Sequence, residues 1–476
     1  MMDKRIKYLT ILFWTVMFAR LIPMVFLPLT DTTEARYANT ALLMAKLNDW
    51  ITPYFDYGVP FWGKPPLAFW FQALSYDIFG IHDFTPRFPS FVITLATIWL
   101  IYKLVITLYD KFTAMLAITI YASMLLVFAL SGAVLTDTYL TFATTLSLVS
   151  FVMVLHGYKK YWDYLFFVGL GLGILTKGPL ALVIVGGIIT LWILFSLKRR
   201  IQIIGTFPLL RGTLLMLFIS IPWYIMAEIK TPGFLHYFIL GENLGRFLDT
   251  GWHGDKYGSA HVHAYGAIWL MWIEASFPWG ISMVYLLFKG FKKKLDLRVI
   301  SEVFHSDTYS FYIIWALFIG LFFSIARNTL WTYVLPSLPA FAILLALYIN
   351  HHKLYTFKFM LINTLFVPIA LMIGLIYVTY YPNTIKTEKF LIAKYHTVAK
   401  YDEPLYFLKD RSFSSQYYMN KKLNIINIKK LHDLEKQHTN KRYFIAVDKA
   451  YKQFIDKQYF KKIFVSKKYI LFENRR

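Results

Sequence analysis

Long apolar runs separated by short polar connections fill the first 381 positions of the chain. A bilayer span takes about 20 predominantly apolar residues. That rule predicts spans near 6–29, 88–108, 112–131, 138–156, 162–176, 179–197, 206–227, 264–288, 309–326, 330–349 and 358–381. Pro/Gly-rich connections leave room for a re-entrant hairpin, so eleven to thirteen membrane helices are expected. Lys4, Arg5 and Lys7 precede the first run, and Lys103/Lys111, Lys159/Lys160, Lys198/Arg199/Arg200, Lys289/Lys292/Lys293/Lys294 and Lys353/Lys358 mark every second connection. Lys and Arg accumulate on the cytoplasmic side of such chains. The N-terminus is therefore expected in the cytoplasm, with the long connections 30–87 and 228–263 on the outer side. Past Tyr380 the pattern changes. Pro404–Leu408, Tyr443–Val447 and Tyr469–Phe472 are short apolar runs between charged, helix-compatible stretches, which predicts a small α/β unit over 382–476 with short strands, also outside.

Composition sharpens this reading. The chain has 476 residues, 57% hydrophobic and 16% charged, where an average soluble domain carries about 25% charged residues. It reads as a polytopic α-helical membrane protein: a membrane domain over 1–381 and a C-terminal periplasmic α/β domain over 382–476. Cysteine is absent, which excludes disulfides and thiolate metal ligands and suits a bacterial envelope protein. The first run, Tyr8 to Leu29, is too long for a signal-peptide core and lacks an A-x-A-type cleavage site, so it is expected to be retained. The net charge is +23, and residues 382–476 hold 22 Lys/Arg against 9 Asp/Glu. Such a basic surface suits an anionic membrane face and its lipids. No nucleic-acid motif accompanies it, so nucleic acid is not an expected partner.

Charged and aromatic groups that could do chemistry gather in the outer connections. The first carries Asp31, Glu34, Arg36 and Tyr37, then an amphipathic pattern from Met44 to Trp50, then Phe61-Trp62-Gly63-Lys64-Pro65-Pro66. A helix lying along the interface would direct Asp31, Glu34 and Arg36 toward a membrane-level cavity; the plain alternative is solvated loop charge. Lys64 stands where the chain re-enters the bilayer, a place for a lipid phosphate or for ordinary snorkelling. Asp137 lies in a short outer turn and could equally cap the following helix. Lys177, in Thr176-Lys177-Gly178-Pro179, faces the same side.

The second long connection offers Asn243 and Arg246, whose guanidinium suits phosphate oxygens, and His253, His261 and His263. Those histidine spacings match no closed zinc framework, so no metal site is predicted, with a divalent metal the open alternative. Arg327 and Tyr333 sit at another outer helix entrance, where an aromatic belt would account for them too. Glu274 lies inside a span and is left unassigned. The candidates fall on one membrane face near helix ends. That arrangement suits a reaction on a lipid phosphosugar, with cations holding the phosphate and a carboxylate orienting or deprotonating an acceptor. A transporter would more often place its site at the midplane, within repeated halves.

The runs Asp31-Thr32-Thr33-Glu34-Ala35-Arg36-Tyr37-Ala38, Asp49-Trp50, Phe61 to Leu67, Leu175 to Pro179, Gly241 to Phe247 and Tyr333 to Pro336 resemble glycosyltransferase family 39. The most similar branch is the lipid A aminoarabinose transferases and related bacterial polyprenyl-phosphate-sugar transferases. The resemblance spans roughly residues 5–350. It implies a GT-C membrane fold, an undecaprenyl-phosphate-linked sugar donor and transfer on the periplasmic side of the inner membrane. It assigns catalytic roles to Asp31, Glu34 and Asp137 and a phosphate contact to Lys64. Relatives place an Asp-Glu pair directly before x-Arg-Tyr-Ala, whereas here Thr33 precedes Glu34 and the aspartate stands two residues earlier. Gly63 and Asn243 replace the Glu and His that bind metal in aminoarabinose transferases, which argues against that metal here.

The expected activity is metal-independent transfer of a sugar from undecaprenyl phosphate to lipid A or another envelope acceptor. Asp31, Glu34 and Asp137 are the expected catalytic residues. Arg36, Tyr37, Lys64, Lys177, Asn243, Arg246, Arg327 and Tyr333 are the expected substrate contacts. The alternatives are transfer to a protein Ser/Thr and, from another class, a lipid-linked sugar flippase.

Overall fold

The computed structural model describes residues 2–159, 161–194, 204–248, 254, 256–258, 261–291, 306–400, 403–436 and 441–475. Each of the eleven expected spans falls on helix. Among the described residues, six helices are long and apolar enough to cross a bilayer: α1 (Met2–Phe26), α4 (Phe88–Leu108), α7 (Asp137–Leu155), α10 (Leu209–Lys230), the continuous stretch Trp331–His351 that ends in α14 (Leu338–His351), and α15 (Phe357–Tyr380). The remaining spans are shorter or interrupted: α5 (Lys111–Ser123) with α6 (Leu125–Leu130), α8 (Trp162–Lys177), α9 (Leu180–Leu194), α11 (Ile268–Ala275) with α12 (Trp279–Phe291), and α13 (Asp307–Phe323). The chain is a multi-pass membrane protein.

Two of the interruptions solve one problem together. Met124 turns extended between α5 and α6, and Pro278 removes a donor between α11 and α12. The Leu125 N–H freed at the first break donates to the Phe277 carbonyl at the second, at 2.8 Å. Backbone groups at membrane depth must find partners inside the protein, and here each break supplies what the other lacks.

The first long connection, residues 30–87, folds into two helices with a hairpin between them. The first helix, α2, covers Thr33–Leu47 and ends on Asn48, whose φ of 49° lies in the left-handed region. It therefore begins well before Met44 and stops short of Trp50, where the sequence pattern had pointed. Strands β1 (Tyr54–Asp56) and β2 (Val59–Pro60) pair antiparallel, and α3 (Leu67–Phe79) follows the Pro65-Pro66 pair. No helix had been expected there, because its 13 residues fall below the span length.

The C-terminal segment carries a five-stranded sheet in the order β4-β3-β5-β7-β6, with β3 Leu405–Leu408, β4 Asn424–Ile426, β5 Phe444–Asp448, β6 Phe460–Val465 and β7 Tyr469–Asn474. β3 pairs parallel with β4 and β5, while β7 runs antiparallel to β5 and β6. Successive side chains of a strand point to opposite faces. Phe444 and Ala446 thus pack with Leu391, Ile392 and Tyr395 of α16 (Lys389–Val398), and Ile445 and Val447 with Leu431 of α18 (Ile428–Lys436).

This segment docks on the first long connection through acidic residues. Asp56 meets Arg411 at 2.8 Å and Gln416 at 3.1 Å, and Asp83 accepts from Lys389 and from the Tyr418 hydroxyl at 2.5 Å. The Tyr418 hydroxyl also takes the Leu29 N–H at 2.7 Å. The short helix α17 (Phe413–Met419) lies against α2. Basic charge in the tail is in part the complement of carboxylates in that connection.

Candidate functional site

Helix packing brings the first pair of charges together. α7 and α8 run antiparallel and very close, because Gly169 leaves no room for a side chain: a Cβ there would meet Ser147 Oγ at 2.3 Å and the Ala143 carbonyl at 2.7 Å. The start of α7 then stands beside the end of α8. Asp137 opens α7 and Lys177 closes α8, and the Lys177 Nζ donates to Asp137 Oδ1 at 2.7 Å with both side chains buried. An acid at a helix N-terminus and a base at a C-terminus also oppose the backbone partial charges there. Gly178 follows with φ of 64°, and a Cβ on it would strike the Phe238 ring at 2.6 Å. The turn fixes Lys177 against the aromatic wall.

The second group comes from loops. Lys64 precedes the stiff Pro65-Pro66 pair and donates to Glu242 Oε1 at 2.5 Å and to the Gly63 carbonyl at 2.6 Å. Arg246, one helical turn beyond Glu242, donates to the same Oε1 at 2.9 Å. Both belong to a helical stretch in which Tyr237–Gly245 is π-wound. Burial works against the charge of Lys64, but Glu242, with Tyr37 adding, holds its pKa above the ordinary lysine value.

These groups share one cavity of about 110 Å³. Lys64, Lys177, Glu242, Asn243, Arg246 and Tyr333 line it with Asn328, against Leu180, Phe238, Phe247 and Phe323. The Lys177 ammonium also lies over the Tyr333 ring, 5.3 Å from its centroid. Asn243 spends its amide on the Phe238 carbonyl, at 2.7 Å. Five expected site residues thus line one cavity: Lys64, Lys177, Asn243, Arg246 and Tyr333. Asp137 reaches it through Lys177.

The remaining candidates go elsewhere. Asp31, Glu34 and Arg36 do not converge: Asp31 precedes α2, and Glu34 and Arg36, two apart on it, do not share a face. Glu34 is partly buried and accepts from two of the Arg87 nitrogens, Nε at 2.8 Å on Oε1 and Nη2 at 3.0 Å on Oε2. Burial penalises its charge, but Arg87 beside it keeps the carboxyl below the usual range. Arg87 also donates to the carbonyls of Met24, Leu27 and Pro28, which close the end of α1. Asp31 turns to the C-terminal segment, accepting from Ser414 N at 3.0 Å and from the Ser414 hydroxyl. Burial pushes its pKa up.

Arg36 donates to the Tyr257 carbonyl and stacks near Tyr37, Phe61 and Phe413. Tyr37 is buried between Phe61 and Phe69. Arg327 lies over the Tyr265 ring, 5.8 Å from its centroid, and its neighbour Asn328 takes the place on the cavity wall. Among the described residues no group of three His or acidic side chains is placed to hold a metal; His253 and Asp255 lie outside the described residues.

Sequence reasoning missed Glu242, Arg87 and Tyr257. Glu242 stood inside a quoted motif, next to Asn243. Arg87 had a signal too, as an arginine immediately before an apolar run. Tyr257 is the joint between the two long connections. Its hydroxyl donates to the Pro60 carbonyl at 2.9 Å and accepts from Trp62 N at 3.0 Å, and its ring packs on Phe55 and Phe61.

Comparison with known proteins bears on this geometry. Residues 63–226 match the family model for dolichyl-phosphate-mannose-protein mannosyltransferase. The undecaprenyl phosphate-alpha-4-amino-4-deoxy-L-arabinose arabinosyl transferase of Yersinia enterocolitica is 30% identical over 321 residues, 66% of this chain and 54% of the relative. Its counterpart in Aeromonas hydrophila is 28% identical over 335 residues, 69% of this chain and 58% of the relative. The chain spans about half the length of the curated relatives it matches. Crystal structures of ArnT from Cupriavidus metallidurans superpose on 98% of both chains at 15% identity, with TM-scores of 0.74 bound to undecaprenyl phosphate and 0.72 in the apo state. The fold is that of ArnT. The GT-C architecture inferred from the sequence motifs is borne out, including the small sheet at the C-terminal end.

Proposed function

We propose that the chain transfers a sugar from undecaprenyl phosphate to an envelope acceptor, foremost lipid A, at the outer face of the bacterial inner membrane. One observation carries this reading: Lys64, Lys177 and Arg246, from three separate segments, converge on one cavity at the helix ends. Three cations and an aromatic wall suit the phosphate of a lipid-linked sugar. The undecaprenyl phosphate-aminoarabinose transferase activity named for the relatives and the undecaprenyl phosphate bound in the ArnT structure support the same donor.

The chemistry follows. The acceptor oxygen bonds to the anomeric carbon while the bond from that carbon to the phosphate oxygen breaks. The leaving oxygen keeps the bonding pair, and the donor phosphodiester becomes a phosphomonoester held by the cations. A lipid A phosphate as acceptor needs no base. A hydroxyl acceptor must lose its proton, and of the three candidate carboxylates Asp137 is the one beside the cavity; Asp31 and Glu34 keep their neighbours in place. The N-terminus is assigned to the cytoplasm and the C-terminal sheet, docked on the first outer connection, to the periplasm.

A protein Ser/Thr is the second acceptor to consider, supported by the description of the matched family model. Lipid A masses from cells with and without the chain, and with Lys64→Gln, test the reading. A sugar-sized adduct that needs the wild-type chain and vanishes with Lys64→Gln is expected. An unchanged lipid A together with glycosylated envelope protein would move the acceptor to protein. Movement of lipid-linked sugar across vesicles that survives Lys64→Gln would make the chain a transporter.

A further inference from the structure

Glu242 is the unexpected member of the cavity. A site for an anion gains nothing from a carboxylate in its wall, yet Glu242 is buried and places one oxygen, Oε1, on both Lys64 and Arg246. Among the described residues the cations at the cavity are Lys64, Lys177 and Arg246, and the acids are Glu242 and, through Lys177, Asp137. The balance is one net positive charge. A donor phosphodiester carries one negative charge, whereas a phosphate monoester carries about 1.5 to 2 near pH 7.

We propose that Glu242 sets the charge of the cavity to match the donor diester and to disfavour the product monoester, so that product leaves. This rests on the reading of the cavity as a donor phosphate site. With diester bound the cluster is neutral. When the sugar leaves, the phosphate keeps the bonding electrons and the cluster gains negative charge in a buried setting, where charge interactions are strong. Without the Glu242 charge the same cations would neutralise the monoester and retain it. A carboxylate that only spaced Lys64 from Arg246 would be replaced by an isosteric amide at no cost to this discrimination.

The test uses purified full-length chain in nanodiscs and two probes, undecaprenyl monophosphate and its phosphate methyl ester, a monoanionic diester. Wild type is expected to bind the methyl ester at least as tightly as the monoester. Glu242→Gln, which keeps an acceptor oxygen for both cations, is expected to raise the preference for monoester about tenfold, equivalent to about 1.4 kcal/mol. Glu242→Asp, which keeps the charge, is expected to leave the wild-type ratio. In turnover, Glu242→Gln should show stronger inhibition by added monophosphate. A wild-type protein that binds monoester tenfold tighter than methyl ester overturns the proposal, whatever the variants do. So does an unchanged ratio in Glu242→Gln, or the same shift in Glu242→Asp. If instead neither probe's binding responds to Lys64→Gln or Arg246→Gln, the cavity is not a phosphate site, and that is the reading that fails.

Discussion

The first long connection contains two charged clusters of similar appearance and different use. Residues 31–36 spend their charges on the protein: Glu34 on Arg87, Asp31 on Ser414, Arg36 on the Tyr257 carbonyl. Residues 61–66 deliver one charge, Lys64, to a cavity wall. The difference lies in backbone. Asp31 stands before α2, and within the helix Glu34 and Arg36 turn to different sides, so the three charges go to three neighbours. The segment that ends in two prolines carries a single lysine and presents it to the cavity. Charge density alone does not mark a site; convergence from separate segments does.

Loss of Lys64 gives the largest expected effect on activity. Lys64→Gln should reduce transfer on the order of a hundredfold, as removal of one charge-stabilising group typically does, while leaving detergent-extracted protein folded. Measured with the lipid adduct and a thermal unfolding scan, that split separates the cavity cluster from the α2 cluster. For the latter the converse is expected. Glu34→Gln or Arg87→Met should cost about 3–5 kcal/mol of stability, the typical penalty for leaving one buried charge unpaired. Activity should then fall only with the amount of folded protein. The double variant, which leaves neither charge alone, should recover part of that loss. If Glu34→Gln instead folded like wild type and abolished transfer, Glu34 would belong to the chemistry and the comparison would collapse.

Tyr257 lies between the two clusters and offers a finer test. Tyr257→Phe keeps the ring on Phe55 and Phe61 but removes the hydroxyl that bonds Pro60 and Trp62. Net hydrogen bonds contribute about 0.5–1.5 kcal/mol each, so a modest loss of stability is expected. The more telling readout is kinetic. A loosened Trp62-Gly63-Lys64 segment should raise KM for the lipid donor more than it lowers kcat.

Much of this was legible before any coordinates. Among the described residues, runs of apolar residues placed the membrane helices, and the short apolar runs Pro404–Leu408, Tyr443–Val447 and Tyr469–Phe472 found three of the strands. β4 and β6 escaped notice: Asn424–Ile426 is only three residues long, and Phe460–Val465 carries Lys461 and Lys462 facing out. Helix α3 was hidden because it is too short to span. At the site, Lys177 with Asp137 and Lys64 with Arg246 were each readable as outer-face charges, since position relative to the spans is a one-dimensional property. Which charges meet is not. Asp31 and Glu34 looked central because they are close in sequence, and Glu242 looked incidental because its partners lie 178 residues upstream and one turn downstream.

A separate effect, on pH dependence, is expected at the junction between α2 and the C-terminal sheet. Glu388 is 1% exposed, and its Oε2 has no hydrogen-bond partner among the described residues. Burial pushes its pKa to about 8, with a Ser466 hydrogen bond and, more weakly, Lys468 and Lys449 opposing and the nearby Asp31 charge adding to the rise. The folded chain therefore holds a proton on Glu388 that the unfolded chain releases above its ordinary value of 4.5. Where the folded state binds more protons, stability falls as pH rises. Docking of the C-terminal segment should be firmest at or below pH 4.5, weaken up to about 8, and change no further through this group. Glu388→Gln, neutral at every pH, should flatten that slope in a thermal scan between pH 5 and 9. Asp31→Asn should shift the decline toward higher ionisation of Glu388, by removing a neighbouring negative charge. A slope unchanged by both substitutions would mean that the pair does not carry the junction's pH dependence, and Asp31 would then need another task.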